Sequence, residues 1–336
     1  MTVSIGGREL RVFAINPQTR DLDRYWRELQ ACIRRSAQLG WAGVLLFTGN
    51  DTYVEPWLAA QYALAETASL SPLVAVNPVY MHPYSAAKMV SSLSYLYRRK
   101  IFLNMVCGIA LSHLDALGDH LSHDERYERL GEYIAIMQSL FSGKPVSFDG
   151  RYYRVAHLRL LPAVPAEIWP EFLLAGQSEA AQGVCERVGA IGMRMLHPAL
   201  ERAHDASRAI SLGIVTRATR EEAWNVARAL FPADRQAQEL LDLSMSNTDS
   251  SWKRRLHSVA HLPELTEDGY WLGPFRNFQA DCPYFVASYS RTAELLTALV
   301  EKGVDLLVLD LPANDEEYEH IGRAVALATA GVSLST

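Results

Sequence analysis

The stretch "LGWAGVLLF", residues 39–47, joins the end of an amphipathic segment to a short, wholly apolar run. Gly40 stands where a helix can close in the left-handed conformation that glycine adopts without steric cost. Residues 43–47 are too few for a helix and show no polar alternation, as expected of a strand buried on both faces. The same joint recurs in "VGAIGMRM" (188–195) and "KGVDLLVLD" (302–310). Working outward, strands are expected at 10–16, 43–47, 73–77, 101–107, 171–176, 190–196, 209–216 and 304–311. Helices are expected near 21–39, 56–69, 83–98, 124–142, 178–188, 198–207, 219–231, 288–302 and 314–329. This alternation of apolar strands with helices predicts an α/β fold, a closed (β/α)8 TIM barrel. A doubly wound open sheet would carry a glycine fingerprint after its first strand, and "AINPQTRD" (14–21) has none.

Three stretches fall outside the repeat: 108–121, 143–170 and 232–287. The last holds Trp252, Tyr270, Trp271 and Tyr284, so it is expected to be a lid or insertion on one domain spanning 1–336. At 49% hydrophobic, the chain can build a large core. A net charge of −6 with no run of Lys or Arg argues against nucleic-acid or anionic-membrane partners. No apolar stretch is long enough to cross a bilayer, and "MTVSIGGRELRVFAIN" does not resemble a secretion signal, so a soluble cytoplasmic protein is expected. Cys32, Cys107, Cys185 and Cys282 are scattered and read as free thiols. His113, His120 and His123 cluster near Asp115 and Asp119, but without metal-ligand spacing, and no metal is expected.

The segment "SHDERYERLGEYIAIMQSLFSGKPVSFDGRYYRV" (122–155) begins as a helix and ends as a hairpin with Asp149-Gly150 as its turn. His123 and Tyr127, four apart, share one face of the first helical turn. Read as a plain capped surface helix, this turn leaves Arg126 and Glu128 facing water. Read as a site, it offers a phenol and an imidazole to an anion. On a barrel, chemistry gathers where strands hand over to helices. The relevant stretches are "TGNDTY" (48–53), "NPVYMHP" (77–83), "NMVCG" (104–108) and "AGQSEAA" (175–181). In the last, Ser178 is a natural N-cap after Gly176. The free N–H groups behind it form either an ordinary capped helix start or a seat for phosphate.

These segments, with "TGNDTYVEPWLAAQYALAETASLSPLVAVNPVYMHPYSAAKMVSSLSYL" (48–96), resemble the flavin-dependent members of the bacterial luciferase-like superfamily. The nearest branch is the alkanesulfonate and long-chain alkane monooxygenases. The resemblance implies a barrel that holds FMN, reduced by a separate NAD(P)H:flavin reductase, in a homodimer or homotetramer. It places Asn104 and Cys107 along the isoalloxazine and ribityl chain, and Thr48 and Tyr53 beside the ring. It places His123 and Tyr127 toward the phosphate, cradled by Gly176, Gln177 and Ser178. Asn77, Tyr80 and His82 become the candidate catalytic groups facing the ring, although His82 before Pro83 also suits a helix start.

The sulfonate branch carries a His after strand one, where this chain reads "NPQ" (16–18), and an Arg-x-His on strand seven that falls on Ser211 and Gly213. The Arg of its mobile loop has only Arg276 nearby, and its late Tyr is replaced within "LDLPAND" (309–315). A substrate larger and less charged than a small alkanesulfonate is therefore expected. The expected activity is a two-component monooxygenase passing one oxygen atom from O2 to an organic molecule. The alternatives are an F420-dependent oxidoreductase on the same barrel, or a degenerate member that binds a ligand or partner without turnover.

Overall fold

The computed structural model describes residues 2–19, 21–108, 110–198, 207–260 and 269–331. Its strands are β1 (Val3–Ile5), β2 (Arg8–Ile15), β3 (Gly43–Leu46), β4 (Leu73–Val76), β5 (Phe102–Met105), β6 (Val146–Asp149), β7 (Arg154–Leu158), β8 (Glu171–Ala175), β9 (Ile191–Met195), β10 (Ala209–Arg217), β11 (Tyr270–Trp271), β12 (Tyr284–Ser288) and β13 (Leu306–Leu309). Its helices are α1 (Leu22–Gln38), α2 (Pro56–Glu66), α3 (Pro83–Tyr97), α4 (Leu111–Ala116), α5 (His123–Phe141), α6 (Glu179–Val188), α7 (Arg220–Leu230), α8 (Arg235–Ser246), α9 (Ser251–Ala260), α10 (Gly273–Arg276), α11 (Tyr289–Glu301) and α12 (Asp315–Ala330).

The strand path β2–β3–β4–β5–β8–β9–β10 continues to β13, which pairs back onto β2, closing a parallel (β/α)8 barrel. Each strand expected from the sequence is present. The three glycine joints take positive φ, 68° at Gly40, 64° at Gly189 and 93° at Gly303. The helix expected at 198–207 lies almost wholly outside the described residues. All four cysteines are free thiols, and among the described residues no helix is long and apolar enough to cross a membrane.

The chain divides into two compact units. The first comprises Met1–Val44, Met193–Ser246 and Trp252–Thr336. Here β10 serves three partners: residues 209–211 pair with β9 and 209–212 with β13, while 213–217 pair with β12. The strand β12 lies inside the stretch expected to be only insertion; its apolar run "YFVAS" was the signal for it. The Tyr284 ring lies against Gly213, where any Cβ would overlap it. The Tyr284 hydroxyl donates to Asp310 Oδ2 at 2.6 Å, at the end of β13. Burial, opposed in part by that hydrogen bond, raises the Asp310 carboxyl to about 6.

The second unit comprises Leu45–Gly192 and Asn247–Ser251. In it β4, β5 and β8 are in register, with Asn104 opposite both Ala75 and Leu173. Helix α5 is fixed by a capping box: Ser122 accepts from the Glu125 N–H, and Glu125 accepts from the Ser122 N–H. Its inner face buries Leu130, Tyr133, Ile134, Met137 and Leu140. The hairpin β6–β7 follows, but its turn differs from the expected Asp-Gly pair. Asp149 pairs with Arg154 and residues 150–153 form the loop, closed by Gly150 N–H to the Tyr153 carbonyl at 2.9 Å. The cause is Glu132 on α5, whose carboxylate accepts from the N–H groups of Arg151, Tyr152 and Tyr153 at 2.7–3.1 Å. Three charge-assisted bonds outweigh the preference of a two-residue turn.

The Asp310 environment gives a signed pH dependence. In the unfolded chain this carboxyl loses its proton near pH 4, in the folded chain near 6. Between those values the folded state holds the extra proton, so stability falls as pH rises, by up to about 3 kcal/mol, and levels off above the window. Denaturant unfolding of wild type and Asp310→Asn across pH 4–7 should show this component in wild type alone; parallel curves would reject it.

Candidate active site

Every candidate cofactor-binding or catalytic residue named from the sequence belongs to the second unit. Tyr127, one turn into α5, is 7% exposed, and its hydroxyl faces the side chains of Cys107 and Ser178. Burial, reinforced by the adjacent Cys107, pushes the phenol far above its ordinary value. Burial likewise pushes the Cys107 thiol up to about 12, so both groups are neutral at physiological pH. Below the same hydroxyl lies Gly176, whose N–H donates to the Leu174 carbonyl at 3.2 Å. A methyl group at 176 would overlap the Tyr127 hydroxyl and come within 2.8 Å of the Ala181 Cβ. Glycine is therefore required here for space, not for backbone freedom.

Two residues on, Ser178 caps α6 by accepting from the Ala181 N–H at 3.2 Å. The Gln177 carbonyl accepts from the Gln182 side chain at 3.2 Å. The first N–H groups of α6 and its helix dipole lie beside the phenol. His123 completes the group: its ring centroid is 5.0 Å from that of Tyr127, and its Nδ1 lies 2.7 Å from Asp124. The structure thus brings together Cys107, His123, Tyr127, Gly176 and Ser178, with Gln177 between the last two.

Asn77 and Asn104 stand at the ends of the neighbouring strands β4 and β5, 1% and 5% exposed. Val79 donates its N–H to Asn77 Oδ1, but Asn77 Nδ2 and Asn104 Oδ1 have no protein partner. A buried donor and a buried acceptor left open on adjacent strands are costly unless a ligand meets them. The remaining candidates are engaged differently. Tyr80 donates to Asn50 at 2.6 Å, tying the loop after β4 to the loop after β3, where Thr48 is half-buried and Tyr53 exposed. Burial raises the Tyr80 phenol, with the charges of Asp51 and Glu55 adding to it. His82 Nδ1 accepts from the Tyr84 N–H as the N-cap of α3, and its ring meets Tyr153 of the hairpin edge-on. His113, His120 and His123 face three different carboxylates, Asp51, Asp115 and Asp124.

One residue departs sharply from the sequence reading. Arg126, which would face water if this were a plain capped surface helix, is 3% exposed and paired with Asp249. Its position one turn before Leu130, in line with the buried stripe of α5, was the available signal. Glu128 does face solvent, bound by Arg151 of the hairpin loop.

The model of the luciferase-like monooxygenase family matches residues 10–306. The chain belongs to that family. It is 31% identical over 287 residues to BtrO of Niallia circulans, a 4-(γ-L-glutamylamino)butanoyl-[BtrI acyl-carrier protein] monooxygenase, covering 82% of this chain and 83% of that one. Among solved structures, the EDTA monooxygenase EmoA of Chelativorans sp. BNC1 shares the fold with a TM-score of 0.74 at 16% identity, over 96% of this chain and 94% of its own. The oxygenating constituent of 3,6-diketocamphane monooxygenase of Pseudomonas putida, solved with FMN, gives 0.70 at 16% identity, over 95% and 98%. An F420-dependent secondary alcohol dehydrogenase gives 0.64 at 14% identity, over 98% and 99%. The last two of these structures hold FMN and an F420–acetone adduct on the same fold.

The contact between Tyr127 and residue 176 should appear as coupling. Gly176→Ala should destabilise by about 1–3 kcal/mol through overpacking, and Tyr127→Phe by about 1 kcal/mol through the lost polar contacts of the hydroxyl. Because removing the hydroxyl relieves much of the overlap, the double variant should lose less than the two single losses combined. Additive losses in denaturant unfolding would show that the two positions do not meet.

Proposed function

We propose that the chain is the oxygenase component of a two-component FMN-dependent monooxygenase. It would take reduced FMN from a separate NAD(P)H:flavin reductase and oxygenate an organic substrate. The observation that carries this reading is the Tyr127 hydroxyl held over Gly176 beside the start of α6. It sets a phenol, a serine hydroxyl and open backbone N–H groups around one point, a donor set suited to a phosphate. His123 borders that point. Asn77 and Asn104 supply an open donor and an open acceptor for the polar edge of a flavin ring. The residues present fit the group.

When bound, the reduced flavin supplies two electrons to O2, so that one oxygen atom enters the substrate and the other leaves as water. The chain's own part is to bind, orient and exclude water. Tyr127 and Cys107 are neutral across the physiological range, so neither competes for a proton during turnover. A buried, largely apolar strand end beside Asn104 and Met105 keeps bulk solvent from the reacting centre. Tyr80, in the loop after β4, is the candidate for handling a proton, and His82 is the less suited because its Nδ1 caps a helix.

On the substrate, the β10 positions Ser211 and Gly213 carry no cation, and Tyr284 covers Gly213. That supports a substrate larger and less charged than a small alkanesulfonate. The name of BtrO makes a carrier-bound acyl group the first class to try. A homodimer or homotetramer and a cytoplasmic location accompany this proposal. The second reading, an F420-dependent oxidoreductase, has the shared fold of the alcohol dehydrogenase in its favour.

Fluorescence titration of the purified protein with oxidised FMN, reduced FMN under anaerobic conditions, and F420 separates the readings. Reduced FMN should bind, and Ser178→Ala or Tyr127→Phe should each weaken it about tenfold, the worth of one hydrogen bond to a charged group. Binding of F420 alone would favour hydride transfer. Wild-type affinity in both variants would remove the phosphate seat from residues 127 and 178.

A further inference from the structure

Beside Tyr127, the buried Arg126 makes a second set of contacts. Its Nε donates to the Cys107 carbonyl at 3.0 Å, one terminal nitrogen donates to the Leu121 carbonyl at 2.8 Å, and the other to the Asp249 carboxylate. The guanidinium therefore joins both ends of the 108–121 excursion to a carboxylate that arrives from far along the chain. The stretch Asn247–Ser251 that brings Asp249 belongs to the second unit, although α8 before it does not. It also grips the excursion directly. The Leu111 N–H donates to the Asn247 carbonyl at 3.0 Å, the Ser112 N–H donates to Asn247 Oδ1 at 2.9 Å, and Asn247 Nδ2 donates to Ser112 Oγ at 2.9 Å.

We propose that Asn247–Ser251 is a strap fastened across the 108–121 excursion, that Arg126 is the positioning residue holding it, and that the fastening sets how long flavin stays at the Tyr127 cluster. The residence-time part rests on the flavin reading above; the strap itself does not. Arg126 acts through its neighbours. By fixing the Cys107 carbonyl it fixes the thiol that meets the Tyr127 hydroxyl, and Asp249 lies close enough for its charge to act on both groups.

The two partners are unequal. The Arg126 side chain is 3% exposed and that of Asp249 is 25% exposed, so solvent can take back the carboxylate far more readily than the guanidinium. The carboxylate is therefore the end that lets go. A cofactor that must enter and leave at each turnover requires a closure of this kind, one that is firm but breakable at a single charged contact.

The test compares wild type, Asp249→Asn, Ser112→Ala, Arg126→Gln and Arg126→Lys. Hydrogen exchange of the ligand-free proteins reads the strap, and stopped-flow release of FMN reads its effect on the cofactor. Asp249→Asn should speed amide exchange across 108–121 and FMN release about tenfold each, with the unfolding midpoint near that of wild type. Ser112→Ala should move both in the same direction by less. Arg126→Lys, which keeps the charge but not the fork, should recover part of the wild-type release rate relative to Arg126→Gln. Exchange and release both unchanged in Asp249→Asn and Ser112→Ala would overturn the proposal. If wild type binds no flavin, the flavin reading fails and takes the residence-time part with it, while exchange alone still decides the strap. Should Asp249→Asn not fold, Ser112→Ala carries the comparison.

Discussion

A hydroxyl and a missing methyl group occupy the same few cubic ångströms. Tyr127 can reach Cys107 and Ser178 only because position 176 carries no side chain. Much of the second unit serves to keep that approach in place. The Ser122–Glu125 capping box fixes where α5 begins, and so the height of Tyr127 along it. Glu132, one face further on, gathers the hairpin loop. Arg151 of that loop returns to pair with Glu125 and Glu128, and Tyr153 packs edge-on to Tyr133. The hairpin is thus a buttress for the first turns of α5, and no contact described for it calls for a chemical duty.

The cluster and its surroundings divide their electrostatics. At the Tyr127 point the donors are neutral: a phenol, a serine hydroxyl and backbone N–H groups. The charged side chains nearby are already matched, Arg126 with Asp249 and Arg129 with Asp119. A seat of neutral donors holds an anion without a buried cation whose own desolvation must be offset in the empty state. On the proposed function that suits an enzyme whose cofactor is a visitor, because the vacated site carries no unpaired charge.

The barrel was legible in the sequence because its evidence is local. Each glycine joint and each apolar run can be recognised within ten residues, and every expected strand is present. The Tyr127 group was legible in part, since His123 and Tyr127 are four apart and Ser178 is a standard cap, but their meeting depends on β5 and β8 being neighbours. Arg126 was misread because a charged residue in a first helical turn ordinarily faces water. The partner that keeps it buried is 123 residues away. The Asp149-Gly150 turn was misread for a similar reason: turn chemistry is a local preference, and Glu132 overrides it from another element. Tyr284 over Gly213 needed the fold itself, because the run "YFVAS" signals a strand but not which strand it pairs with.

The change of partner along β10, from β13 to β12, has an evolutionary corollary. Ring closure uses residues 209–212, whereas the register with β12 starts at Gly213 and runs outward. The chain between α7 and β12 therefore hangs from a segment past the point of closure. Descendants could lengthen, shorten or replace that excursion while the staves of the barrel keep their alignment, which leaves substrate range free to drift on a scaffold that stays fixed.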